Sequence, residues 1–432
     1  MRLVSTNGSP VELSFRDALF QSMAADGGLF TPIDLPPLPT NTVVGLRDRP
    51  FPEIAGELAR HLLRGEFDAG VLDGIVEDAL NFPVPLAPLD PRTHLLELYH
   101  GPTLAFKDVG ARFMARAMRA CRSGDGLLTV LVATSGDTGS AVADAFLGLP
   151  DTRIVVLFPD GQVSALQERQ FTTLGDNVSA LAVQGTFDDC QRLAKAAFAD
   201  HDLGRRVRLT SANSINIGRL LPQIFSYFAA WAQLPPSDGR LVISVPSGNF
   251  GNLTAGLMAK RLGLPVSRFV AATNANDVVP EYLRSGRYRP RPSERTISSA
   301  MDVGDPSNLA RILHLYADDL DALRRDVGAW SATDDETREC IGSVHRRTGR
   351  VLDPHTAVGL LGLQRELAGS SRDVDGVVIA TAHPAKFREV VEPVIGEEVE
   401  LPARLAAHLD KERRVTPIEP VFDDLRTILL RG

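Results

Sequence analysis

"LLTVLVATSGDTGSAVADAF", residues 127–146, decides how the rest of the chain is read. Its first seven residues, Leu127–Ala133, are apolar and rich in Leu and Val, with one Thr. That composition reads as a strand buried on both faces. "TSGDTGS" (134–140) follows, and Gly136 and Gly139 permit tight turns there. "GSAVADAF" then continues as a helix. Ser135, Asp137 and Thr138 offer side-chain oxygens, and the start of a helix offers free amides, so the loop can grip a carboxylate or phosphate. An ordinary strand-to-helix loop with cap residues would also look like this.

The same strand type recurs on both sides. Upstream lies "HLLELY" (94–99). Downstream lie "RIVVLF" (153–158), "VSALAV" (178–183), "VRLT" (207–210), "RLVISV" (240–245), "RFVAAT" (268–273) and "GVVIA" (376–380). Helical patterns separate most of them, such as "DVGARFMARAMRACR" (108–122), where Val109, Phe113, Ala117 and Cys121 share a face and Asp108 is a candidate N-cap. Continuous apolar strands alternating with helices predict an α/β fold of mainly parallel sheets covered by helices. Residues 1–92 read as a leading unit, with helical patterns at 51–64 and 68–80 between proline-rich connectors. Residues 277–300 read as a long loop and 305–369 as largely helical. There is no fixed-period repeat.

A chain of 432 residues suggests two or three domains. Its 46 basic and 54 acidic side chains leave a formal charge of −8, and no basic run marks a nucleic-acid surface. An anionic ligand therefore needs a local cationic pocket. Cys121, Cys190 and Cys340 are odd in number and far apart, which fits a reducing compartment better than a disulfide framework. No stretch has the length of a membrane span, and "MRLVSTNGSPVELSF" lacks an apolar signal core. A cytoplasmic protein is expected.

Lys107, in "HGPTLAFKD" (100–108), stands where a strand hands over to a helix. A partly buried lysine has a lowered pKa and can act as nucleophile and base near neutral pH. A lysine snorkelling from a helix start is the bland alternative. "VPSGNFGNLTAG" (245–256) follows "RLVIS", and Gly248 and Gly251 flank Asn249 and Phe250 before a helix. Successive amides in such a turn make an anion nest. The pattern matches neither a dinucleotide nor an ATP loop, so a single phosphate is the simpler guest; a turn with no ligand is the alternative. In "TAHPAKF" (381–387), Thr381 lies at a strand end and can hydrogen-bond a ring nitrogen. Pro384 suits a first helical turn, and His383 reads as a buried, hydrogen-bonded histidine. Ligands of α/β sheets bind outside the carboxyl ends of the strands. A lysine, a phosphate nest and a hydroxyl for a ring nitrogen together describe pyridoxal 5'-phosphate.

At these residues the chain resembles the threonine synthase family, of fold-type II pyridoxal-phosphate enzymes, in its longer bacterial and fungal branch. The motifs are "DGGLF" (26–30), "HGPTLAFKD", "ATSGDTGSAVADAF" (133–146), "LQERQFTTLG" (166–175), "SANSINIGRLLPQ" (211–223), "VPSGNFGNLTAGL" (245–257), "AATNANDVVP" (271–280) and "TAHPAKF". The resemblance implies a tryptophan synthase β-like architecture of two α/β domains plus an N-terminal unit. The expected division is 1–92 for that unit, 93–109 with 240–400 for a large cofactor-binding domain, 110–239 for a small substrate-closing domain and 401–432 for a C-terminal tail. It implies Lys107 as the Schiff-base lysine. It also implies Gly248, Asn249, Phe250, Gly251 and Asn252 around the cofactor phosphate, with Thr381 at the pyridine nitrogen. Ser135, Thr138, Asn213, Ser214 and Arg219 are implied as substrate-binding, and no metal is expected. Many fold-type II relatives carry Asn where this chain has Asp137, and close relatives often carry Asp where it has Asn252. The reaction implied is O-phospho-L-homoserine plus water to L-threonine plus phosphate, by β,γ-elimination and β-addition. A phospholyase acting on O-phosphothreonine or phosphohomoserine to give 2-oxobutyrate, and a non-catalytic pyridoxal-phosphate-binding protein, are the alternatives. The expected partner is the small-molecule substrate, with no nucleic acid or membrane, and the protein is expected as a monomer or homodimer.

Overall fold

A computed structural model describes residues 1–122, 126–237, 239–368 and 374–431. Among the described residues fourteen strands run in chain order: β1 (Arg2–Ser5), β2 (Leu13–Ser14), β3 (Phe30–Pro32), β4 (Leu86–Asp90), β5 (Thr93–Glu97), β6 (Leu128–Ala133), β7 (Thr152–Pro159), β8 (Val178–Val183), β9 (Arg208–Ser211), β10 (Arg240–Pro246), β11 (Arg268–Thr273), β12 (Val327–Ser331), β13 (Val374–Ala380) and β14 (Thr416–Ile418). They form three sheets. The six-stranded sheet has the order β12-β11-β10-β13-β5-β4 and is parallel except for the β4–β5 pair. The five-stranded sheet, β14-β8-β7-β6-β9, is parallel throughout. A small antiparallel sheet, β2-β1-β3, sits at the N-terminus.

All six residues of β6 are buried, as the unbroken apolar run requires of a strand covered on both faces. Helix Pro354–Leu367 packs across β10, β11 and β13, and helix Lys107–Cys121 packs against helix Asp137–Phe146. Thus Lys107 opens the helix that joins the two parallel sheets. β4, within 1–92, is an edge of the six-stranded sheet. β14 and helix Phe422–Leu430, from beyond residue 400, complete the five-stranded layer by pairing with β8 and packing on helix Phe187–Ala199.

Two local expectations are corrected, and a third is refined. Residues 277–300 are not all loop, because helix Val278–Ser285 occupies their start. Pro280 falls in its first turn, where no amide hydrogen is needed, and Gly286 ends it at φ +73°. The stretch 305–369 is largely helical as read, and β12 adds one five-residue edge strand between helices Leu320–Asp326 and Asp334–Thr348. Asp108 does not cap its helix, which begins at Lys107 after Phe106. Instead its buried carboxylate accepts from Thr103 Oγ1 at 2.6 Å and Thr103 N at 2.9 Å, closing the 101–107 turn. Burial pushes its pKa up to about 6 against those bonds.

Candidate active site

One cavity of about 150 Å³ opens at the carboxyl ends of β6, β10 and β13, and every nominated residue lines it. Lys107 reaches it because its segment is stitched to the end of β13. Phe106 N donates to Thr381 O at 2.8 Å, and Ala105 bridges Ala382. The Lys107 amine has no hydrogen-bond partner among the described residues; its nitrogen lies 5.7 Å from the Phe106 ring centre. Desolvation lowers its pKa to about 8, Asp137 opposes that shift, and Arg219 and Lys386 add to it. A chain with net charge −8 has therefore gathered three cations, Lys107, Arg219 and Lys386, close enough here to act on one another.

In the 134–140 loop, Thr134 Oγ1 accepts from Gly136 N at 2.9 Å and Gly139 N at 2.8 Å. The loop is thereby folded back and leaves Ser135 and Thr138 lining the cavity, half-buried, their hydroxyls without an internal hydrogen bond among the described residues. Gly136 adopts φ +141°, and a β-carbon there would lie 2.6 Å from the Gln167 side chain. Only glycine fits.

Phe250 is left-handed at φ 60° and turns the 247–250 loop into helix Gly251–Arg261. The backbone amides of Gly248, Asn249, Phe250, Gly251 and Asn252 have no acceptor among the described residues, and they gather at a helix N-terminus. The Asn252 side chain is occupied within its own loop, donating to Pro246 O at 2.8 Å. Asn249 Nδ2 donates to Ser214 Oγ at 2.7 Å, linking the nest to the 211–219 segment. The Thr381 hydroxyl makes no internal hydrogen bond among the described residues, although the residue is only 5% exposed.

Arg219 is buried, and its Nη1 donates to Ala212 O. Its Nε is buried without a partner, and it makes no ion pair with a carboxylate among the described residues. That Nε is packed against Gly110 and closed off, so Nη2, which makes no hydrogen bond among the described residues, is the guanidinium nitrogen left for a phosphate oxygen in the cavity that Arg219 lines. Burial lowers its pKa to about 10, which still leaves it charged. Asn213 differs from its neighbours, since both ends of its amide are bonded to Ala133, at 3.1 and 2.6 Å. It fastens β6 to the end of β9 and has little left to offer a ligand.

Four residues that matter here were not singled out from the sequence. Arg311, fully buried, donates to Phe30 O, Ser214 O, Ile215 O and Asn308 Oδ1, tying the N-terminal sheet to the Ser214 loop. His355 pairs with Asp353 at 2.8 Å, and its Nε2 accepts from Ala300 N at 3.2 Å, so it holds the 298–302 turn over the nest. Lys386 and Gln167 both hold Asp137. The signal for Lys386 was present, because a lysine just past a buried strand is the argument that picked out Lys107. His383 is structural: its Nδ1 accepts from Ala385 N at 3.2 Å, capping its own turn.

The donor set fits pyridoxal phosphate. The acceptor-free amides suit a phosphate dianion, the lysine of lowered pKa suits attachment to an aldehyde, and the Thr381 hydroxyl suits a ring nitrogen. Gly248 supplies a test. A β-carbon there would lie 2.7 Å from Met301 Cα and 2.8 Å from Ala300 O, so the turn above the nest must move. Gly248→Val is expected to weaken cofactor binding by about tenfold or more, since overpacking costs about 1–3 kcal/mol. Titrating the apoprotein with cofactor, beside its melting curve, checks this. A lowered melting temperature with unchanged affinity would make the loop purely structural.

Comparison with known proteins agrees with the geometry. The family model described as pyridoxal-phosphate dependent enzyme matches residues 85–382. Those described as threonine synthase N terminus and threonine synthase, C-terminal, match 2–80 and 356–428. The chain is 44% identical to the threonine synthase of Haemophilus influenzae over 433 residues, covering all of both chains. The solved threonine synthase of Escherichia coli superimposes with a TM-score of 0.95 at 42% identity over all of both chains. A structure of threonine synthase from Brucella melitensis, described as bound to PLP, gives 0.92 at 36% identity, covering 100% of this chain and 99% of that one. Full-length agreement in sequence, and in all three parts of the architecture, leaves no segment to another fold, and the chain belongs to the threonine synthase family of pyridoxal-phosphate-dependent enzymes.

Proposed function

We propose that this protein converts O-phospho-L-homoserine and water to L-threonine and phosphate, with the residue roles given below. The observation that carries the reading is the presence of two separate anion-suited sites in one cavity with Lys107. One is the amide nest at 248–252, and the other is the buried Arg219 guanidinium, whose Nη2 has no partner among the described residues. A cofactor phosphate and a substrate phosphate need one each.

Lys107 would carry the cofactor, the nest amides would hold its phosphate, and Thr381 would meet its ring nitrogen. When bound, pyridoxal phosphate supplies an electron sink for charge developing at the substrate Cα. Arg219, with the Ser214 hydroxyl beside it, binds the substrate phosphate. Ser135, Thr138 and the N-terminus of helix Asp137–Phe146 take the substrate carboxylate. Lys107 Nζ removes the Cα proton, and its lowered pKa leaves a useful fraction of free amine near neutrality. A second proton leaves Cβ as phosphate departs from Cγ. Protons then return to the carbon skeleton, and water adds its hydroxyl at Cβ. Asn213 positions the loop bearing Ser214 through its bonds to Ala133.

We also propose that the two parallel-sheet units form the large and small domains, the large one extended by β4 from the stretch 1–92 and the small one by β14 from the stretch 401–432. The protein works in the cytoplasm as a monomer or homodimer. No helix among the described residues is long and apolar enough to cross a membrane. The deciding experiment incubates the purified protein with phosphohomoserine and follows phosphate and threonine together. Equal amounts of the two are expected. Phosphate with 2-oxobutyrate in place of threonine would overturn the reading in favour of a phospholyase.

A further inference from the structure

Lys386 is fully buried, on the 3₁₀ turn Pro384–Phe387 beyond β13. Its ammonium lies 2.7 Å from Asp137 Oδ1 and donates to Thr103 O at 2.8 Å. Gln167 Nε2 donates to the same Oδ1 at 2.7 Å. Asp137 Oδ2 makes no hydrogen bond among the described residues, and Asp137 lines the cavity with Lys107. The link also joins the two sheets, because Ser164 Oγ donates to Lys386 O at 3.1 Å and Gln170 Nε2 to Thr103 O at 3.1 Å.

Resting on the reading above, we propose that Lys386 is a positioning residue for this reaction. It fixes Asp137 by one oxygen, aims the other at the Lys107 nitrogen, and tempers the pull of that carboxylate on the proton Lys107 carries. A buried carboxylate with Lys107 as its one cation would hold that nitrogen protonated, and a protonated nitrogen is no base. A second cation on the carboxylate shares its charge. The charged groups around the Lys107 nitrogen are Asp137, Arg219 and Lys386. Asp108 and His383 also interact electrostatically with Lys386. Burial alone would raise the pKa of Asp137, but Lys386 and Lys107 together hold it below the usual carboxylate range.

The signature is a pair of opposite shifts. Removing the cation in Lys386→Met leaves Asp137 to Lys107 and favours the protonated nitrogen. Removing the anion in Asp137→Asn leaves that nitrogen facing Arg219 and Lys386 and disfavours protonation. The Asn can keep both bonds to Oδ1, so its fold is preserved. The experiment records the visible absorption of the cofactor-loaded enzyme, without substrate, across about pH 5.5–10, for wild type and both variants. Opposite charges within a few ångströms move a pKa by about 1–3 units. The Lys386→Met midpoint is therefore expected about one pH unit or more above wild type, and the Asp137→Asn midpoint as far below. The acid limb of kcat/KM should move in the same two directions.

Spectra that superimpose at every pH, or shifts of both variants in one direction, would overturn the proposal. If Lys386→Met does not fold, Asp137→Asn decides alone: a downward shift supports it, and an unchanged or raised midpoint sinks it. The absorption measurement uses no substrate, so a failure to make threonine would strike the proposed reaction and not this one.

Discussion

Lys107→Ala is expected to abolish threonine formation, lowering kcat by about 10⁴-fold or more. The variant loses both the attachment point and the base that moves protons at Cα. Borohydride should fix cofactor to the wild-type chain and none to the variant, and the visible band of linked cofactor should be missing. Lys107→Arg should fail as badly, because a guanidinium stays charged near neutrality. The sign of the stability effect is a separate check. The folded-state pKa of Lys107 lies below its ordinary value, at about 8 against 10.5. The protonated form is thus disfavoured by folding, and the residue costs stability that is fully present below about pH 8 and vanishes as pH rises through 10.5. The Lys107→Ala apoprotein should therefore melt no lower than the wild-type apoprotein at pH 7, and any advantage should shrink on going to pH 10. Normal turnover by the variant would remove Lys107 from the chemistry. A large loss of apoprotein stability at pH 7 would make it a structural lysine.

Arg219→Ala is expected to lower kcat/KM for phosphohomoserine by about two orders of magnitude and to leave cofactor binding unchanged. A charge-assisted hydrogen bond from the Arg219 guanidinium to a phosphate is worth about 1.5–3 kcal/mol. Losing it, together with the attraction of a desolvated charge for the dianion, forfeits about 3 kcal/mol of binding in the transition state. Lysine keeps the charge without the planar guanidinium, so Arg219→Lys should fall between wild type and alanine. The decisive comparison sets phosphohomoserine against unphosphorylated homoserine, reading the change each causes in the absorption of the bound cofactor. Wild type should strongly prefer the phosphorylated ligand, and Arg219→Ala should lose most of that preference. An unchanged preference would leave Arg219 with its internal bond to Ala212 as its role and assign the phosphate to other groups.

Much of the architecture was legible because it is written locally. β6, β7, β10 and β13 are short, almost continuous apolar runs rich in β-branched residues, the pattern of strands covered on both faces. The loops at 134–140 and 245–256 announce themselves by glycines that the backbone then needs, as at Gly136 with its φ of +141°. Where local signals conflicted, the reading went astray. The proline- and arginine-rich composition hid helix Val278–Ser285, and neighbouring helices hid the edge strand β12. Asp108 has the residue type of an N-cap, yet the tight turn beginning at Gly101 draws its carboxylate inward to Thr103.

The sequence by itself determined the strand–helix alternation, the chain positions of the three ligand-suited loops, and the residue types able to meet a lysine-bound cofactor and two anions. Only the tertiary structure decided which polar groups remain free in the cavity. Asn213 is occupied by the backbone of Ala133 and Asn252 by that of Pro246, while the hydroxyls of Ser135, Thr138 and Thr381 and the Nη2 of Arg219 are left open. It also decided the buried partners: Lys386 with Thr103 across 283 positions, Arg311 with Ser214 across 97, and Lys386 with Asp137. The physical reason is one of range. Periodicity and turn chemistry act over a few residues and are encoded there. A buried charge must find whichever partner the packing of distant elements brings to it, and nothing in its own neighbourhood names that partner.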